Sequence, residues 1–284
     1  MTTESSPNAV DLELNRQTAQ QSHKRKPIRT SENRPIAQKL SVVFCNARSV
    51  YQKMPELAER VRLTSPDCIA VTESWLKNSD PDRALSLPVH RRDRQEIHKG
   101  SGNIRRGGGV AVWVRSEIKC SRRRDLELWS EDLWLEFPNT RSSRRSVLLG
   151  CAYRPPDSLI TDFCSALELF FSKIDPITHE IILLGDFNAT SPKWLSSDSY
   201  NKAGRHLEPF TLQMGLDQFV SSPTHFTADG RCTSCLDLVF CSNRHLVSNI
   251  CTISLLGKSD HTMLSCTFNV EVNRSSFGSR LTRI

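Results

Sequence analysis

Several apolar, strand-like runs in this chain end abruptly in a side chain able to do acid–base or metal chemistry. Ser-Val-Val-Phe-Cys runs into Asn46, Cys-Ile-Ala-Val-Thr into Glu73, Cys-Ala into Tyr153, and Ile-Ile-Leu-Leu-Gly into Asp186-Phe187-Asn188. Side chains alternate along a strand, so Asp186 and Asn188 are expected to face the same way, with Phe187 turned toward packing. Leu236-Asp237-Leu238-Val239-Phe240 sets a carboxylate inside an otherwise apolar strand, a costly placement unless a positive or hydrogen-bonding group meets it. Ser259-Asp260-His261, just before another alternating run, supplies a histidine for that partnership and a second carboxylate beside it. Each residue also has an ordinary structural reading: Asp186 as a turn residue, Glu73 as a helix-start charge, Asp237 as a satisfied core acid, His261 as a loop residue. Taken one at a time, those readings prevail.

Gathering these residues requires strands that end on one rim. Apolar runs rich in β-formers fall at residues 40–45, 68–72, 109–114, 133–137, 147–153, 181–184, 236–241 and 262–270. Helical periodicity marks residues 55–63 through Leu57 and Val61, residues 158–174 through Phe163, Leu167, Phe170, Phe171 and Ile174, and residues 205–214. Strands mixed with flanking helices in one chain predict a layered α/β sandwich rather than a bundle or an all-β barrel. Residues 1–38, rich in Ser, Gln, Asn, Lys and Arg, read as a disordered basic and polar tail whose run at 23–29 could be a nuclear address or a phosphate-binding arm. Residues 39–272 read as one folded domain and 273–284 as a polar linker.

The 38 Lys and Arg against 31 Asp and Glu leave a net charge of +7. Basic clusters stand at Arg91, Arg92 and Arg94, at residues 122–124, and at Arg141, Arg144 and Arg145. A polyanionic partner fits them, and so do solvated loops. No apolar run approaches the roughly 18 residues of a membrane span. The ten cysteines sit in a chain too long for a small disulfide scaffold, and Cys45, Cys68, Cys151 and Cys266 lie in or beside apolar runs as small hydrophobes. Cys232, Cys235, Cys241 and His245 could hold zinc, but a second well-spaced pair is missing.

Read in order, the chain carries Asn46-Ala-Arg-Ser, Pro66-Asp67, Thr72-Glu73-Ser74-Trp75-Leu76, Gly107-Gly108-Gly109-Val110-Ala111-Val112, Tyr153-Arg154-Pro155-Pro156, Gly185-Asp186-Phe187-Asn188-Ala189, Leu236-Asp237 and Ser259-Asp260-His261. This series resembles the endonuclease/exonuclease/phosphatase superfamily over residues 40–270 or so. Asn-Ala-Arg-Ser, Glu-Ser-Trp-Leu, the Asp93-Arg94 pair and Asp-Phe-Asn-Ala with Pro192 and Trp194 resemble its LINE-type branch, the endonuclease domains of non-LTR retrotransposons. Apurinic-site enzymes differ in carrying an acidic residue where this chain has Arg48.

The resemblance implies a four-layer α/β sandwich of two packed mixed sheets flanked by helices, and a Mg²⁺-dependent enzyme, with Mn²⁺ a substitute, that nicks double-stranded DNA to leave a 3′-hydroxyl. It implies metal ligation by Glu73, with Asn46 and Asp260 assisting. It implies water activation by Asp186, positioning by Asn188, phosphate contacts from His261 and Tyr153, and Asp237 fixing the histidine tautomer. DNA contacts are expected from Arg94, Arg105, Arg106, Arg154 and Thr224, the last in a hairpin read at residues 221–235. A reverse-transcriptase domain in cis is the implied partner if the chain is a fragment; the alternatives are another phosphoesterase of the superfamily or a silent DNA-binding remnant.

Overall fold

The computed structural model describes residues 39–77, 79–88, 90–95, 107–140, 144–194, 199–227 and 229–275, all within one compact unit. The tail at 1–38, Arg105, Arg106 and residues 276–284 lie outside the described residues, as does the side chain of Arg94. Period-two alternation builds the architecture. Along β1 (Leu40–Asn46), Leu40, Val42 and Phe44 face one core while Val43 and Cys45 face another. The first sheet has the order β13 (Val247–Leu255), β14 (Thr262–Phe268), β1, β2 (Cys68–Thr72), β4 (Val110–Arg115) and β3 (His90–Gln95). The second has the order β5 (Ser121–Arg122), β6 (Asp132–Phe137), β7 (Ser146–Tyr153), β8 (His179–Asp186), β12 (Asp237–Cys241) and β9 (Asp217–Gln218). β1 with β2 and β7 with β8 run parallel and the other pairs run antiparallel, so both sheets are mixed.

The main core fills the space between the sheets, joining Val42 and Phe44 to Leu133, Leu148 and Leu184. Helix α1 (Met54–Thr64) lays Met54, Leu57 and Val61 on Val43, Cys45, Ile69 and Trp113, which closes the far face of the first sheet. Helix α2 (Ile160–Ser172) buries Ile160, Phe163, Leu167 and Phe170. Phe170 stacks on Trp134 of β6 with ring centroids 4.0 Å apart, a contact that adds about 0.5–1.5 kcal/mol to the area it buries. Helix α3 (Lys202–Gln213) is capped by Asn201, whose side chain accepts from the Gly204 amide at 2.8 Å. This is the expected α/β sandwich. No helix among the described residues is long and apolar enough to cross a membrane.

Three sequence expectations change. β3 and β13 were not foreseen, because both are sheet edges with polar or exposed residues in place of an apolar run. Residues 273–275 are not a linker: Arg274 forms a β-bridge with Ile118 and donates to Asp67 at 2.8 Å. Among the described residues, several arginines of the basic clusters are engaged within the protein. Arg122 forms a buried pair with Glu127 at 2.6 Å, Arg123 reaches Asp125 and Glu136, and Arg91 donates to the carbonyls of Arg115, Ile118 and Cys120.

Gly185, one residue before the Asp186 terminus of β8, has a packing reason. A Cβ there would stand 1.9 Å from the carbonyl oxygen of Ala152 in β7. Gly185→Ala should therefore lower stability by about 1–3 kcal/mol, read as a lower urea midpoint; an unchanged midpoint would show that the strands can part without cost.

Candidate active site

Strand register alone converges the residues singled out above. β1 ends at Asn46 beside Thr72, so Glu73 follows at the same rim. Tyr153 pairs with Asp186 where β7 and β8 end, and Asp186 pairs with Asp237 where β12 begins. His261 immediately precedes β14. The facing sheets thus deliver side chains from six strand termini to one place.

Asn46 sits at the centre. Its Nδ2 donates to Glu73 Oε1 at 3.0 Å and to Asp186 Oδ2 at 2.8 Å, while its Oδ1 accepts from the Arg48 amide at 3.1 Å. Its nitrogen thus bridges two carboxylates, and its oxygen faces the Arg48 amide. Glu73 Oε2 accepts from Trp75 Nε1 at 3.2 Å. Glu73, Trp75 and Asn188 take left-handed backbone conformations with φ of 45°, 54° and 47°, a cost of about 1–3 kcal/mol each that the surrounding structure must hold. Hydrogen bonds from the amides of Ser74 and Trp75 to Gly109 and Gly108, both at 3.0 Å, fix the turn that presents Glu73.

Asp186 is fully buried, and its Oδ1 accepts from the Asn188 amide at 3.0 Å. Burial, and then the charge of Asp237, hold its carboxyl above the ordinary carboxylate range. Asn188 lies alongside, though a left-handed turn rather than strand alternation puts it there, and its Nδ2 donates to Arg154 O at 3.0 Å. Tyr153 is raised from its usual value by burial first and then by the neighbouring Glu73 and Asp186, so it stays a protonated donor.

Asp237 Oδ2 meets His261 Nδ1 at 2.7 Å, both side chains buried. Burial depresses the imidazole, but attraction and hydrogen bonding by Asp237 outweigh it and lift His261 to about 9. At neutral pH the ring is a cation with Nε2 as its second donor. Ser259 ties together the rim ends of two neighbouring strands of the first sheet, β1 and β14: its hydroxyl donates to Asn46 O at 2.8 Å and accepts from the His261 amide at 3.2 Å.

Asp260 stands at the histidine end, ion-paired with Arg48 and 3.9 Å from His261 Nε2. The carboxylate and imidazole groups at metal-ligand spacing among the described residues are His225, Asp260 and His261, and Asp186, Asp237 and His261. Asp260 is thus gathered with His225 and His261.

Two expected DNA contacts are turned inward. Arg154 is 2% exposed, and its guanidinium donates to the carbonyls of Phe187 at 2.6 Å and of Pro155, Ser158 and Asn188 at 2.9 Å. Thr224 is fully buried and its hydroxyl accepts from the amides of Leu236 and Asp237, each at 3.1 Å, which positions Asp237 rather than a ligand. The hairpin that holds Thr224 at its base forms as read, pairing β10 (His225–Phe226) with β11 (Cys232–Ser234), and a bridge from His225 to His261 sets it against the site. Sequence reasoning missed His225; the only available signal was its position beside Thr224 in that hairpin. Of the zinc alternative, Cys235, Cys241 and His245 do not gather among the described residues.

Two mixed sheets carrying a carboxylate–amide–carboxylate bridge and a carboxylate–histidine pair at their common rim make a phosphodiesterase fold. The chain belongs to the endonuclease/exonuclease/phosphatase family, whose sequence profile matches residues 43–261. Among solved structures, the chain is similar to the endonuclease domain of TRAS1, a telomere-specific non-LTR retrotransposon, at 19% identity and a TM-score of 0.66 over 81% of this chain and 98% of that one. It is also similar to the AP endonuclease LMAP of Leishmania major, at 12% identity and a TM-score of 0.65 over 81% and 88%. The 3′ phosphatase NExo of Neisseria, bound to a product DNA hairpin, shares 15% identity at a TM-score of 0.57 over 81% and 100%. No curated protein sequence matches the chain.

Proposed function

We propose that this protein is a Mg²⁺-dependent endonuclease that nicks double-stranded DNA and leaves a 3′-hydroxyl, as target-primed retrotransposition uses. The observation that carries the reading is the meeting of Asn46, Glu73, Asp186, Asp237 and His261 at one rim. The donor set suits a hard divalent ion, Mg²⁺ with Mn²⁺ as substitute, since Glu73 offers carboxylate oxygens and no thiol joins it. Held through Glu73, such an ion would supply charge neutralisation at the phosphate and at the departing oxygen.

The protein's own groups divide the remaining work. Asp186 takes a proton from the water that attacks phosphorus, while Asn188 and Asn46 fix the orientation of water and carboxylate. His261, charged and aimed by Asp237, and Tyr153 donate to the non-bridging oxygens as charge builds there. The phosphorus–O3′ bond breaks and the departing oxygen takes a proton from solvent, giving a 5′-phosphate and a 3′-hydroxyl. A cleft of about 440 Å³ runs from Asn188 past Leu159 to Lys202 and His206; in this reading Lys202, and Arg94, Arg105 and Arg106 as the sequence suggests, would meet phosphates with salt-dependent affinity. In this reading the protein works on nuclear DNA, with a reverse-transcriptase domain in cis if the chain is a fragment.

Wild type with Mg²⁺ should convert supercoiled plasmid to open circle, and His261→Ala should not. Equal conversion by the variant, or hydrolysis of an inositol phosphate with no plasmid nicking, would overturn the proposal. The pH profile gives a second check. Rate should rise as Asp186 ionises above the usual carboxylate range and fall as His261 loses its proton near 9. Asp237 raises both groups, so Asp237→Asn should shift both limbs to lower pH and cut the neutral rate by about 10²–10⁴-fold. An unmoved alkaline limb would remove Asp237 from this role.

A further inference from the structure

We propose that His225, Asp260 and His261 form a second cation site, specific for a borderline divalent ion of the Zn²⁺ class, and that filling it switches the active site off. One ligand atom from each residue lies within 4.8 Å of the others. His225 Nε2 stands 3.6 Å from Asp260 Oδ2, and His261 Nε2 stands 3.9 Å from Asp260 Oδ1. Tetrahedral zinc with bonds of about 2.0–2.2 Å needs ligands only slightly closer together than this.

Backbone pairing sets the arrangement. His225 and His261 are joined by a β-bridge, the Phe226 amide donates to Asp260 O at 2.9 Å, and the two imidazoles meet edge to face with centroids 4.9 Å apart. The remote nitrogen of His261 is bonded to Asp237 at 2.7 Å, the carboxylate–histidine support that orients metal-bound imidazoles. Asp260 divides its oxygens. Arg48 holds Oδ2, whereas Oδ1 is buried with no hydrogen-bond partner, an orphaned acceptor that a cation would satisfy. Two imidazoles favour zinc-class ions over magnesium, which prefers all-oxygen surroundings. An ion there takes Nε2 of His261, releasing its proton to solvent, and so removes the donor that the phosphate requires.

The test is a Co²⁺ titration followed by visible absorption, with Zn²⁺ inhibition of plasmid nicking measured at fixed Mg²⁺. Wild type should bind one Co²⁺ with a spectrum free of thiolate bands. His225→Phe, which keeps the ring packing, and His225→Ala should each weaken cobalt binding at least tenfold. Both should raise the Zn²⁺ concentration for half-inhibition by a similar factor while nicking in Mg²⁺ alone stays at the wild-type rate. Cys251→Ser, which removes the thiol exposed among the described residues, should change neither value. Unaltered cobalt affinity in both His225 variants, or a thiolate band that Cys251→Ser abolishes, would overturn the proposal. The cobalt titration reads the site even in a protein that cuts no DNA, so its failure and the failure of the nuclease reading are distinguishable.

Discussion

Asp186→Asn is expected to reduce plasmid nicking by about 10²–10⁴-fold, the contribution of a positioned base, with DNA affinity changed no more than a few-fold. The amide matches the carboxylate in shape but cannot take the proton of the attacking water. It also turns an acceptor pair into one acceptor and one donor, against an Asn46 nitrogen that now donates at 2.8 Å. The same substitution should not weaken the fold. The Asp186 carboxylate is buried and crowded by Asp237, so its charge is costly at neutral pH, and an amide relieves that cost. An enzyme that keeps a destabilising charge for chemistry should become inactive and at least as stable when the charge is removed. A urea midpoint equal to or above wild type together with lost nicking is the expected pair of results. A large fall in midpoint would mean that the carboxylate serves packing instead.

Arg154→Ala is expected to do the opposite, damaging the fold before the chemistry. Its guanidinium satisfies carbonyls on both sides of the catalytic strand end: Phe187 and Asn188 from one segment, Pro155 and Ser158 from the other. Truncation strips charge-assisted bonds from several buried acceptors and leaves a void where the side chain lay. By analogy with breaking buried charged networks, the loss should be about 3–5 kcal/mol. Arg154→Lys should recover little, since one ammonium cannot span four carbonyls that a planar fork now reaches. Urea denaturation of the three proteins measures this, and wild-type stability in either variant would contradict the structural role.

That residue also marks where sequence reading stops. The strand ends carrying Asn46, Glu73, Tyr153, Asp186 and Asp237 were legible because apolar alternation interrupted by one polar group is a local pattern. The helices α1 and α2 were legible from their periodicity, within a residue or two at their ends. A motif places Arg154 beside Tyr153, but only tertiary packing decides whether a guanidinium faces solvent or carbonyls. Thr224 is hidden for the same reason. The inward aim of Asn46 Nδ2 and the Arg48–Asp260 pair depend on partners 140 and 212 residues away in sequence. Edge strands β3 and β13 evaded detection because an edge needs no apolar face.

The most direct test of the central claim is the chemistry of the nick. Supercoiled plasmid incubated with the protein and Mg²⁺ should yield open circles whose nicks a DNA polymerase extends at once, with no prior treatment of the ends, because the bond broken is the one to O3′. Circles that can be extended only after phosphatase treatment, or plasmid left supercoiled under Mg²⁺ and Mn²⁺ alike, would contradict it.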